Sequence, residues 1–149
     1  MRILLDEDVP VQLLEPLRHL TRHRRWIDHV THVHLASSKD IPLFRLARER
    51  GYECLVTNDH GQLNDPDETK AIARSGLHHV RYKQRQEGLR GLAFALGALI
   101  AALPSLLDDL EREDGQRLVL VQSFDPSRKR YELIDPRSAP PRYWPRRRA

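Results

Sequence analysis

The hydrophobic residues of this chain fall into short, unbroken runs separated by segments of helical periodicity. Ile3–Leu5 and Cys54–Thr57 are largely apolar runs too short for helices, and such runs are typical of strands covered on both faces. Trp26–Leu35 and Leu77–Tyr82 are interpreted as two further strands. Because helical segments alternate with these strands, the pattern predicts an α/β fold with a mainly parallel sheet.

Each of the three intervals between these strands repeats apolar residues at the spacing of a helix face. A longer helix with a broad apolar face is predicted from Gly88 to Glu113. Two strand-like segments follow, Gln116–Phe124 and Arg130–Ile134, and the turn residues between them predict a terminal β-hairpin. We therefore expect one domain over residues 1–138 and a flexible tail, rich in proline and arginine, over residues 139–149.

Composition narrows the class of protein. The chain has 149 residues, of which 40% are hydrophobic and 31% are charged, as expected for a globular domain with a real core. Cys54 is the single cysteine, which excludes an internal disulfide framework and favours a reducing cytoplasm. No unbroken apolar run reaches the roughly 20 residues that span a bilayer, and the N-terminus lacks a signal-peptide pattern. We therefore expect a cytoplasmic protein that does not enter the membrane.

Acidic residues follow two of the predicted strands. Asp6, Glu7 and Asp8 come directly after the first strand, Asp59 ends the third, and Asp40 starts the second helix. The carboxyl ends of parallel strands and the N-termini of the helices meet at one edge of a sheet, where ligands bind. Clustered carboxylates repel one another unless a cation, solvent or protonation relieves them. Mg²⁺ or Mn²⁺ is the usual partner of such an all-oxygen site.

The basic residues suit a partner that carries phosphate. The formal net charge is +4, and the positive charge is mostly arginine. The planar guanidinium group matches phosphate oxygens through two parallel hydrogen bonds. A site that cleaves a phosphodiester needs acids at its centre and cations at its rim, and this chain has both.

Simpler roles remain open for several of these residues. Asp40 is also a good helix cap, Asp59 is also a good turn residue, and Glu7 and Asp8 are also typical of a solvated loop.

The closely spaced His29, His32 and His34 suggest a metal cluster. Their spacing on a strand does not place all three on one face, however, so we favour surface or hydrogen-bonded roles for them. The same structural interpretation is favoured for the adjacent pair His78 and His79.

Three segments of the chain resemble one protein family. Ile3–Pro10, which reads ILLDEDVP, is similar to the opening of the PIN-like toxins, a VapC-like branch of the PIN nuclease superfamily that starts with LLDEN-x-P. Asp40, before a helix that ends in the ARERG of Ala47–Gly51, resembles the second segment of that branch. The LVTND of Leu55–Asp59 resembles its third motif, and the resemblance extends over roughly residues 3–83.

The resemblance implies a three-layer α/β/α fold and a Mg²⁺ or Mn²⁺ site that cleaves RNA. It also implies the common role of this branch, a toxin held by a cognate antitoxin protein. Residue by residue, Asp6, Asp40 and Asp59 would be the catalytic metal-site acids, with Asn58 and Thr57 beside them. Apart from the resemblance, the broad apolar face of the long helix leads us to expect a homodimer or antitoxin interface there.

The chain departs from the family pattern at two positions. Gly61 stands where members often have a second acid after the third strand. Asp8 stands where the first motif usually has asparagine, and it is available to supply the missing charge. The expected metal ligands are therefore Asp6, Asp8, Asp40 and Asp59.

Two other functions compete with the metal-dependent ribonuclease. One is a non-catalytic PIN-like module that binds RNA or protein, which the glycine at position 61 favours. The other is a phosphatase with Asp6 as nucleophile, because Asp6-Glu7-Asp8 matches the Asp-x-Asp of haloacid-dehalogenase-like phosphatases. Those enzymes also need a suitably placed lysine, and the four lysines of this chain are poorly placed for that role.

Overall fold

A five-stranded sheet forms the centre of the described structure. The structure is a computed structural model that describes residues 1–21, 25–35 and 40–124, and of Asp40 only the backbone. The strands are β1 (Arg2–Leu5), β2 (Trp26–His29), β3 (Cys54–Thr57), β4 (His78–Tyr82) and β5 (Leu118–Val121). They pair in the order β2-β1-β3-β4-β5, and every pair is parallel. The predicted α/β fold with a parallel sheet is therefore confirmed.

The two strands that precede the acids are central neighbours, as predicted. Ile3 pairs with Cys54 and Leu5 with Val56 across the β1–β3 ladder. β5 pairs in parallel with β4, so the first arm of the expected hairpin is the edge strand of the same sheet. The second arm, Arg130–Ile134, lies outside the described residues, as does the predicted tail.

Helices cover both faces of the sheet. They are α1 (Leu14–Leu20), α2 (Asp40–Glu49), α3 (Pro66–Ser75) and α4 (Gly88–Leu110). A 3₁₀ turn precedes α1, because Pro16 lacks an N–H and is tolerated only near the start of the helix. At the start of α3, the Asp65 carboxylate accepts hydrogen bonds from two backbone N–H groups, each at 2.9 Å.

Alternating residues of the strands divide the core into two parts. Ile3 and Leu5 pack with residues of α1 and α4 on one face of the sheet. Leu4 and Leu55 pack with residues of α2 and α3 on the other face. This arrangement gives the three α/β/α layers, and the completely buried strands explain the unbroken apolar runs in the sequence.

β2 is shorter than predicted. The sequence predicts a strand from Trp26 to Leu35, but the strand ends at His29. Val30 and Leu35 are both buried, and the Leu35 amide donates to the Val30 carbonyl at 2.9 Å. Apolar residues at the two ends of a tight turn can therefore fill a core position without continuing the strand.

α4 is the longest helix of the described chain. By length and composition alone it is apolar enough to cross a membrane. A helix packed in a protein core has the same composition, and α4 buries Leu99, Leu103 and Leu107 against the sheet. The apolar face from which an intermolecular interface was predicted is therefore partly covered within the chain, although Leu89 remains exposed.

Candidate functional site

An acidic cleft of about 300 Å³ lies at the carboxyl edge of β1 and β3. We use the name acidic cleft for the space lined by Asp6, Glu7, Asp8, Val30, Leu35, Leu43 and Asp59. It gathers the acid that follows β1, the acids of the next turn and the acid that follows β3. The sheet edge expected from the sequence is therefore where these carboxylates meet.

Asp6 is held in the cleft by the end of the β1–β3 ladder. Its backbone N–H donates to the Val56 carbonyl at 2.9 Å, which continues the pairing by one residue. The side chain is only 6% exposed, and its carboxylate accepts from the Glu7 amide at 2.8 Å. A carboxylate has about four lone-pair positions, so it can accept from several donors at once.

Asp8 connects the turn after β1 to the end of β3. Its carboxylate accepts from the Asn58 amide at 2.9 Å and from the Thr57 hydroxyl at 3.1 Å. Burial of the carboxylate raises the pKa of Asp8, and the negative charges of Asp6 and Asp59 raise it further. The hydrogen bonds from Asn58 and Thr57 oppose this shift only in part. Asp8 is therefore a carboxylate kept close to other carboxylates at an electrostatic cost.

The turn after β3 places Asp59 opposite the first two acids. The Asp59 amide donates to the Thr57 hydroxyl at 3.0 Å, and the Asp59 carboxylate accepts from the Gly61 amide at 2.6 Å. A Cβ atom at position 61 would lie 3.1 Å from that carboxylate oxygen. This close approach favours glycine at position 61.

A buried relay reaches Asp6 from β4. His79 donates to the side-chain oxygen of Gln62 at 2.9 Å, and the Gln62 amide donates to the Asp6 carboxylate at 3.4 Å. Burial, together with the positive charge of Arg81, lowers the pKa of His79 to about 4, so the ring is neutral at neutral pH. Neither Gln62 nor His79 was expected at the site, because only the β3–β4 register brings them close to Asp6.

The carboxyl end of β4 adds a cation that the sequence analysis also missed. Arg81 is the register partner of Thr57. Its Nε is buried and has no hydrogen-bond partner within the described residues. Arg81 therefore lies beside Thr57 in the sheet, and its positive charge is close to the end of β3 that carries the acids.

The remaining predicted residues have three different outcomes. Asn58 adjoins the cleft, since its amide binds Asp8. The side chain of Asp40 lies outside the described residues, so its role as a metal ligand stays a prediction. His29 is buried and bonds the Val9 carbonyl at 2.8 Å and the Thr31 hydroxyl, which agrees with a structural role.

The donor chemistry of the cleft suits a hard cation. Asp6, Asp8 and Asp59 offer only oxygen ligands, which Mg²⁺ and Mn²⁺ prefer, and their mutual repulsion is what a cation would relieve. Among the described residues, no three acids, histidines or cysteines are already gathered into a metal-binding group. The residues therefore fit a divalent cation in kind, and Asp40 is the expected additional ligand.

The fold and the cleft define an α/β protein of the class that places carboxylates at the carboxyl edge of a parallel sheet. A family model described as PIN like domain matches residues 1–84, more than half of the chain, and the chain belongs to this family. PIN domains are generally nucleases, so the chain is a member of a nuclease superfamily. At the level of the superfamily it is therefore a hydrolase. No curated protein and no solved structure is significantly similar to the chain. The match spans β1 to β4, which carry the whole acidic cleft, and ends before α4.

Proposed function

We propose that this PIN-like protein is a Mg²⁺- or Mn²⁺-dependent endoribonuclease and the toxin of a bacterial toxin–antitoxin pair. The observation that carries the proposal is the convergence of Asp6, Asp8 and Asp59 in one cleft. The raised pKa of Asp8, caused by burial and by the other two charges, supports it. Acids that serve only as caps or solvated turn residues have no reason to be packed against one another.

The cleft residues have distinct roles in this proposal. Asp6, Asp8 and Asp59, with Asp40, would hold the cation. When bound, the cation would supply Lewis-acid chemistry, because it stabilises negative charge on phosphate oxygens and makes water more acidic. Thr57 and the Asn58 amide keep Asp8 in place, and Gln62 and His79 orient Asp6.

The RNA backbone is held, in this proposal, by arginine at the rim of the cleft. Arg81 lies at the end of β4, beside Thr57, and the structure gives it no ion pair within the described ranges. Its charge offsets part of the repulsion between the acids and the phosphate group, which would otherwise keep RNA away.

The test is cleavage of a mixed RNA substrate by the wild type and by Asp6→Asn. We expect Mn²⁺- or Mg²⁺-dependent cleavage by the wild type, loss of that cleavage with EDTA, and no cleavage by the variant. Asparagine keeps the size of the side chain and one oxygen but removes the charge that binds a hard cation. Wild-type cleavage that survives EDTA, or a variant as fast as wild type, contradicts the proposal.

A non-catalytic module that binds RNA or protein is the second candidate. It is favoured by Gly61 in place of the usual acid and by the lack of a preformed three-ligand group in the described part of the chain. RNA binding that is equal with Mn²⁺ and with EDTA, and without cleavage in either, supports this function against the nuclease.

The proposed toxin also needs a surface for its antitoxin. We propose that it is the part of α4 that the described residues leave uncovered, where Leu89 is 83% exposed, and a second copy of the chain is the alternative occupant. Light scattering of the purified chain distinguishes them, because a monomer excludes the homodimer. Loss of antitoxin binding by Leu89→Glu then tests the surface itself.

A further inference from the structure

Two buried polar atoms beside the acidic cleft have no role in the site described above. The Tyr82 side chain is completely buried, and its hydroxyl has no hydrogen-bond partner in any described part of the chain. The side-chain oxygen of Asn58 is also buried and, within those same ranges, also lacks a partner. Buried polar groups are nearly always hydrogen-bonded, so each of these exceptions needs an explanation.

The sheet register brings the two residues that carry these atoms next to each other. Val56 pairs with Val80 and Thr57 with Arg81, so Asn58 continues the register opposite Tyr82. Adjacent strands are about 4.8 Å apart, and residues at the same register position face the same side of the sheet. Tyr82 and Val56 belong to the core on the α4 side, and the alternation of side chains along a strand puts position 58 on the same side as Val56.

The charges around Tyr82 connect it to the acidic cleft. Burial raises the pKa of the Tyr82 phenol, and the negative charges of Asp8 and then Asp6 raise it further. The phenol is therefore a protonated donor close to those two carboxylates. The Tyr82 carbonyl meanwhile contacts the His60 ring at 3.1 Å, which ties the end of β4 to the turn that carries Asp59.

We propose that Tyr82 and Asn58 form a binding site for one water molecule that is shared with the Asp8 carboxylate. The Tyr82 hydroxyl donates to the water oxygen, and the water donates one proton to the Asn58 side-chain oxygen and the other to Asp8. This arrangement uses the donor and acceptor capacity of each group, and a buried water usually makes about three such bonds. Tyr82 is thus a positioning residue that acts on the acidic cleft through the shared water.

The test compares two completely buried tyrosines. Tyr52 is a matched control, because its hydroxyl donates to Asp28 at 2.8 Å, on a different part of the sheet. Tyr52→Phe removes a bond within the protein and should lower the urea midpoint without changing cleavage. Tyr82→Phe removes the hydroxyl that donates to the water, so its midpoint should also fall, whereas removal of an unbonded buried hydroxyl would leave the midpoint unchanged or raise it.

Activity gives the second readout, and it rests on the proposed ribonuclease function. Loss of a group that orients a metal-site residue typically costs about 10- to 100-fold. We expect that loss in the kcat of Tyr82→Phe for Mn²⁺-dependent RNA cleavage, with KM unchanged. A Tyr82→Phe midpoint that equals or exceeds that of wild type, or an unchanged kcat, overturns the inference.

A third measurement separates this inference from the proposed function. Mn²⁺ should raise the melting temperature of the wild type without any RNA, and the Mn²⁺ concentration needed should increase about 10-fold or more in Tyr82→Phe. If the wild type binds Mn²⁺ but does not cleave RNA, the nuclease proposal fails and this shift alone decides the role of Tyr82. Equal Mn²⁺ dependence in both proteins, or none in the wild type, overturns the inference.

Discussion

Replacing Asp8 with asparagine should make the protein more stable and less active. Asparagine can keep its oxygen at the position that accepts from the Asn58 amide at 2.9 Å and lies 3.3 Å from the donating Thr57 hydroxyl. The hydrogen bonds are therefore conserved while one negative charge is removed. The charges of Asp6 and Asp59 then have one neighbour fewer to repel.

The size of the effect follows from the electrostatics of Asp8. Asp8 as a whole residue is exposed, although its carboxylate lines the acidic cleft, so solvent screens part of the repulsion. A gain of about 0.5–1 kcal/mol in the free energy of unfolding is expected at pH 7 after that discount. Because the pKa of Asp8 is raised above 3.8 in the folded state, the folded protein binds this proton more tightly than the unfolded chain. The cost of the charge, which comes first from burial and then from repulsion by Asp6 and Asp59, is thus absent below pH 3.8 and complete above the folded-state pKa.

Urea denaturation of the wild type and Asp8→Asn in EDTA measures this difference. The variant should be more stable at pH 7, and the gap should close as the pH falls towards 3.8. EDTA matters because a bound cation would reverse the sign by favouring the wild type. With Mn²⁺ and RNA, the variant should cleave at least about 10-fold more slowly. A variant that is less stable than wild type at pH 7 in EDTA refutes the reasoning about repulsion.

Three further predictions test single features of the structure. Arg81→Gln should raise KM for RNA several-fold and reduce the salt dependence of RNA binding by about one phosphate contact. The exposed control Arg45→Gln should change neither quantity, and equal effects of the two substitutions would contradict the phosphate role of Arg81. Gly61→Asp should not increase cleavage, because its Cβ atom would crowd the Asp59 carboxylate at 3.1 Å; faster cleavage would show that the missing acid limits the site. Asp65→Ala removes only a helix cap, so it should lower the free energy of unfolding measured in urea by about 1 kcal/mol without changing cleavage. Any loss of activity would point to a wider role for Asp65.

The acidic cleft was predictable from the sequence because its acids lie next to the strands that carry them. The apolar runs Ile3–Leu5 and Cys54–Thr57 identify strands, and in a parallel sheet their carboxyl ends must meet at one edge. Asp6 and Asp59 follow those runs, so their approach needs no knowledge of the pairing register. The same reasoning placed a strand at Trp26–Leu35, where local pattern alone could not reveal the turn that ends it at His29.

The second half of the site depends on long-range pairing that a single sequence does not encode locally. His79, Arg81 and Tyr82 lie beside the end of β3 that carries the site because β4 pairs with β3 at one particular register, Val56 opposite Val80. A shift of one residue would move each of these side chains to the opposite face of the sheet. The role of Gln62 could not be predicted from the sequence either, since its side-chain amide joins His79 to Asp6 only after the sheet has formed.

The hydrogen bonds that hold Asp8 have a consequence for the entropy of binding. Asp8 is fastened to Thr57 and Asn58, and the Val9 amide donates to the Asp6 carbonyl at 3.1 Å, so the turn after β1 is joined to both central strands. A turn that is already ordered loses little conformational freedom when a ligand binds, which favours affinity. Free and ligand-bound forms of the cleft should therefore share one backbone conformation. Ligand binding should change the electrostatics of the cleft rather than its shape.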